Sequence, residues 1–183
     1  MKKIIISYCI CFIISFNVKA QDYLTRNANV EFFSHTAMED VRAQNNEAVS
    51  ILNSTTGDIE FKIAIKSFHF AQTSMEEHFN DENYMDSQKF PKAGFKGKIT
   101  NIAAVNFTKN GTYNVTVAGN LTIKDVTKPI TAQGTVTIKD GAVIAQSTFS
   151  VARKDYNIMG QSFVQNKLAT NVSITVNCQY EKR

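Results

Sequence analysis

Only one cysteine lies beyond the first twenty residues: Cys9 and Cys11 fall inside them, and Cys178 stands alone near the end. An exported chain of this kind has no intramolecular disulfide and must rely on its core. Positive charge is short as well. Lys2, Lys3 and Lys19 sit in the opening segment, so 17 basic residues face 16 acidic ones beyond it, a net charge of +1 in place of the +4 of the whole chain. A near-neutral chain without a basic cluster lacks the electrostatic footprint of nucleic-acid binding. No apolar run reaches the roughly 20 residues a spanning helix needs. A Gly-rich phosphate loop and a nucleophile elbow are missing, and His35, His69 and His78 are too far apart for a His-Glu-x-x-His type of metal site. Internal repeats, low-complexity tracts and linkers are missing too, which favours one domain.

What is present begins with Lys2 and Lys3 ahead of an apolar run over residues 4–16, followed by Val18-Lys19-Ala20. Small residues three and one positions before a cut mark a secretory signal peptide. Cleavage after Ala20 is expected to leave residues 21–183 as a single periplasmic or secreted domain with no transmembrane segment. Gln21, not Cys, would then come first, which disfavours lipoprotein processing. A domain of this size buries about 70% of its unfolded surface.

Most of that domain alternates. In residues 58–66, Ile59, Phe61, Ile63 and Ile65 alternate with Asp58, Glu60, Lys62 and Lys66, the signature of a strand with one dry face. The parity shifts at Phe68 and Phe70, so a bulge or strand end is expected near Ser67. Phe95, Gly97 and Ile99 share a face, as do Tyr113, Val115, Val117, Gly119, Leu121 and Ile123, with Gly119 allowing curvature or making room inside a barrel. Lys109-Asn110-Gly111 reads as a type I′ hairpin. Further strands are expected over residues 22–33, 49–52, 130–138, 142–151 and 168–180, with a polar stretch at 34–46 that includes one helical turn around Met38 and Val41. About eight strands joined by short turns argue for an all-β antiparallel meander closed into a barrel, wide enough for one small ligand.

Residues 75–97 form the one long interruption. Ser74 and Glu77 match a capping box, and Met75 and Phe79 fall at i and i+4, so one short helix is expected near the barrel mouth. An aromatic loop with Tyr84, Met85 and Phe90 follows, stopped by Pro91.

Two groups could carry chemistry. Glu77 and His78 could act as acid and base, although a solvated helix face with favourable charge near the helix start explains them better. Cys178 shares the apolar parity of Val172, Ile174 and Val176, which suits a small core residue better than a nucleophile. The aromatic residues point elsewhere: 11 of the 13 Phe lie beyond residue 20, and Phe68, Phe79, Tyr84, Met85, Phe90 and Phe95 gather around the interruption. Such a lining suits a long apolar ligand.

Three blocks in order resemble a known family. They are Glu77-His78-Phe79 through Tyr84-Met85-Asp86, Lys89-Phe90-Pro91 and Phe95-Lys96-Gly97; then Gly119-Asn120-Leu121-Thr122-Ile123 through Val126-Thr127-Lys128-Pro129; then Arg153-Lys154-Asp155-Tyr156-Asn157-Ile158. Together they are similar to the YceI-like polyisoprenoid-binding proteins. Met75 and Glu76 stand where that pattern often has Arg, and Asn157 stands where it has Gly. The resemblance implies an extended, lipocalin-like barrel in the periplasm, with no established catalytic residues, that holds an isoprenoid or fatty chain as its ligand, and it admits a homodimer.

The combined expectation is a non-enzymatic carrier for an apolar lipid such as an isoprenoid, a quinone precursor or a fatty amide. Its lining is expected from Phe61, Ile63, Ile65, Phe68, Phe79, Tyr84 and Met85, with Phe90, Phe95, Val117, Leu121, Ile123 and Phe149. Two alternatives stay open: a lipid-modifying enzyme using Glu77 and His78, and a barrel packed shut that serves as an interaction module.

Overall fold

A computed structural model describes residues 21–36, 40–161 and 168–183. The expected leader and Met38 therefore lie outside the described residues. The chain runs through β1 (Asp22–His35), β2 (Asp40–Asn53), β3 (Asp58–Ala64), the two-residue β4 (His69–Phe70), α1 (Thr73–Asn80), β5 (Lys92–Ile99), β6 (Gly111–Ile123), β7 (Val126–Lys139), β8 (Ala142–Ala152) and β9 (Asn171–Lys182). All pairings are antiparallel. The order β1-β9-β8-β7-β6-β5-β3-β2 closes on itself through β1 and β2, giving an eight-strand barrel, and β4 adds to β2 beyond the end of β3.

Closure follows from the alternation: each strand turns its apolar parity inward, and a ring leaves no strand edge unpaired. The expected parity shift at Ser67 is a 3-10 turn, Ile65–Ser67, which separates β3 from β4 and lets Phe68 turn into the core.

Several sequence expectations give way. The polar stretch from residue 40 and the short strand expected over 49–52 are one strand: β2 runs for 14 residues and holds Val41 extended, not in a helical turn. Its inward residues are Ala43, Asn45, Ala48, Ser50 and Leu52, mostly small or polar, while Val49 and Ile51 point outward, so the usual hydrophobic alternation is inverted. The capping box does not form. The N-cap is Gln72, with no side-chain bond, and the Glu76 carboxylate instead accepts the Phe70 N–H at 3.2 Å and lies 3.6 Å from His69. Lys109-Asn110-Gly111 is not a hairpin turn either. A loop over residues 100–110 joins β5 to β6, and the Asn110 amide there exchanges hydrogen bonds with the side chain and backbone of Asp140.

A second long excursion was also not foreseen. Between β8 and β9 the chain passes through a 3-10 turn, Arg153–Tyr156, and Asn157 in the left-handed conformation (φ 56°) before re-entering the sheet. Asn tolerates that conformation better than other side chains, which explains how it stands in the place of a glycine. This excursion and α1 with its loop lie at the same end of the barrel, and the Gly160 N–H joins them by donating to the Asn83 carbonyl. The opposite end is closed by the 100–110 loop, where Phe107 stacks on Tyr23 at 5.5 Å.

Candidate functional site

Inward-facing residues of the barrel surround a cavity of about 460 Å³. Its wall is built strand by strand. Ile59, Phe61 and Ile63 come from β3, Phe95 and Ile99 from β5, and Val115, Val117, Leu121 and Ile123 from β6. Val136 on β7, Phe149 and Val151 on β8, and Ile174 and Val176 on β9 complete the circuit with Val30 and Phe32 of β1. The volume falls in the range of small-molecule sites.

The mouth is aromatic. Phe79 of α1 stacks on Phe32 at 5.5 Å and meets Phe68 and Phe70 at 5.5 and 5.1 Å, so the helix is held over the β1 side of the barrel by rings. Tyr84 and Met85 follow from the next loop, and Ile158 and Leu168 from the second excursion. Arg153 ties that excursion down. Its guanidinium donates to the carbonyls of Ile158 and Met159 at 3.0 and 3.1 Å and to Ala169 at 2.8 Å, while itself being buried. Lys124, in the turn between β6 and β7, donates to the Tyr84 carbonyl at 3.0 Å.

The inner end is neutral. Burial pushes the Cys178 thiol up to about 12, and it holds Tyr180 well above its ordinary value. The Tyr180 hydroxyl shares a 2.7 Å hydrogen bond with Ser50. A thiol held protonated in this way is a core residue, in keeping with its parity.

Of the residues predicted from sequence, Phe61, Ile63, Ile65, Phe68, Phe79 and Tyr84 line the cavity, as do Met85, Phe95, Val117, Leu121, Ile123 and Phe149. Phe90 does not. It sits outside the lining with the Lys89 and Lys124 ammonium groups 5.1 and 5.6 Å from its ring centre, a position that attraction between cations and the ring face explains. The barrel is not packed shut. Glu77 and His78 are both exposed on α1, and only His78 borders the cavity. Among the described residues no three His, Cys, Asp or Glu side chains converge on a common point suited to a metal ion.

Sequence reasoning missed the contributions of β1, β7 and β9 and of the second excursion. The β9 alternation of Val172, Ile174 and Val176 was visible and could have placed them on the wall. Ile158 carries no such signal, because it lies in no strand, and Leu168, expected to open the last strand, precedes it, since β9 starts only at Asn171.

The family model for the YceI-like domain matches residues 22–180. Among solved structures, a polyisoprenoid-binding domain from Saccharophagus degradans superposes with a TM-score of 0.76 at 15% identity, covering 90% of this chain and 100% of that one. BcnA of Burkholderia cenocepacia gives 0.70 at 15% identity, over 84% and 96%. The YCEI protein of Campylobacter jejuni gives 0.57 at 15% identity, over 81% and 88%. No curated protein sequence matches significantly.

Proposed function

The chain belongs to the YceI-like family, and on that premise we propose that it is a carrier holding one apolar hydrocarbon chain inside its barrel. The observation that carries this reading is the composition of the cavity. Its wall is almost wholly aliphatic and aromatic, and its ionisable side chains, Arg153 and His78, lie at the mouth. Water needs two to four polar partners to settle in such a space, whereas a methylene chain needs none. Each CH2 removed from water contributes about 0.8 kcal/mol, so a chain of some fifteen carbons gains about 12 kcal/mol before association and ordering costs.

The Saccharophagus degradans neighbour is described as polyisoprenoid-binding, which supports an isoprenoid or a similar single chain as the occupant here. The leader-like opening segment supports export to the periplasm, with residues 21–183 acting as one lipid-binding domain after cleavage. No helix among the described residues is long and apolar enough to cross a membrane.

The test is direct. Protein isolated from its native host is extracted with organic solvent and analysed by mass spectrometry, and the stripped protein is titrated with a fluorescent fatty probe. One lipid per barrel and saturable 1:1 uptake are expected. No recovered lipid together with no saturable uptake overturns the reading.

A further inference from the structure

The cavity stops at one layer across three adjacent strands. Val136, Ala145 and Cys178 are register partners on β7, β8 and β9, and all three line it. Two residues further along, Ile138, Val143 and Tyr180 are again register partners, each at most 4% exposed, and none lines it. Inward parity makes this second set the next rung of the same face. Tyr180 is fixed in place by its buried bond to Ser50, and the layer belongs to one buried cluster with Leu52 and Tyr23, against which Phe107 packs.

We infer that the Ile138–Val143–Tyr180 layer is a floor that limits the bound chain, so that this barrel selects a single hydrocarbon chain of about 15 carbons instead of a long polyprenyl. At about 30 Å³ for each water-sized group, a space of 460 Å³ takes roughly 15 heavy atoms. A longer chain of either isoprenoid or acyl type meets the floor and leaves its remainder in water beyond the mouth, where it gains nothing. Ala145 and Cys178, the small residues resting on the floor, set its depth. The inference rests on the carrier reading.

The experiment is a displacement series on the full chain, using a fluorescent fatty probe and primary fatty amides of about 8 to about 22 carbons, with farnesol and a long polyprenol added. Affinity should rise about four-fold per methylene and level off near 15 carbons. Ala145→Leu, which adds about three carbons above the floor, should bring the plateau down by about that length. Val136→Ala, a milder change in the same layer, should move it up by about two carbons, which keeps the test available if Ala145→Leu fails to fold. Farnesol should compete at least as well as the polyprenol. A steady rise through the longest amides, or a plateau that neither variant moves, overturns the floor and leaves the carrier reading intact. Displacement by no chain of any length overturns both.

Discussion

Gly97 on β5 and Gly119 on β6 are direct register partners, and the Phe95 ring lies across both. A Cβ at Gly97 would stand 2.5 Å from Phe95 Cζ and 2.8 Å from the Gly119 Cα; one at Gly119 would stand 2.6 Å from Phe95 Cζ and would also run into Gly97 Cα and the Lys96 carbonyl. The gap left by two absent side chains is filled by one ring, which thereby becomes part of the cavity wall.

Gly119→Ala should therefore destabilise the fold by about 2 kcal/mol or more, the scale of overpacking in a tight core. Urea unfolding should show a lower midpoint with an unchanged slope. A variant as stable as the parent would mean that the ring and backbone can part without cost.

Asn157 gives a second prediction. Asn157→Gly should leave stability close to unchanged or slightly higher, whereas Asn157→Val should cost about 1–2 kcal/mol, because a β-branched residue resists the left-handed conformation. Thermal melts of the two variants check the ordering. Equal losses in both would point to the Asn side chain instead of the backbone.

Arg153 should behave as a clamp on the mouth. Arg153→Lys removes the fork that reaches three carbonyls and should cost about 2 kcal/mol, with little recovery relative to Arg153→Met. Hydrogen exchange should then speed up at the Ile158 amide, which is bonded to the Arg153 carbonyl, ahead of the amides of β6 and β7.

Alkali should weaken the fold. The Cys178 thiol is raised from 9.0 to about 12 by burial, so the unfolded chain loses this proton first. The contribution is complete below about pH 9 and disappears between pH 9 and 12, worth about 1–2 kcal/mol at pH 10.5. Tyr180, raised well above 10.0, adds to the loss from about pH 10 upward. Urea unfolding at pH 7.5 and 10.5 should show the drop, and Cys178→Ala should shrink it. At neutral pH the thiol should resist alkylation until the protein unfolds.

The amino-acid sequence by itself determined the strands and the barrel wherever alternation is strong. Ile59, Phe61 and Ile63, or Val115 through Ile123, announce an inward face because period two is a local property of the backbone. The short helix was visible from the local i and i+4 spacing of Met75 and Phe79, and the aromatic gathering around it from composition alone. Of strand β2 only the end over residues 49–52 was legible, since Ala43, Asn45, Ala48 and Ser50 face inward and Val49 and Ile51 outward, which hides the alternation. Only the tertiary structure decided the rest. It brought the excursion after Arg153 beside Tyr84, left Phe90 outside, and stacked Ile138, Val143 and Tyr180 into a floor. Those relations join residues far apart in the chain through register and closure, and no local pattern encodes the distance between one strand's inward face and another's.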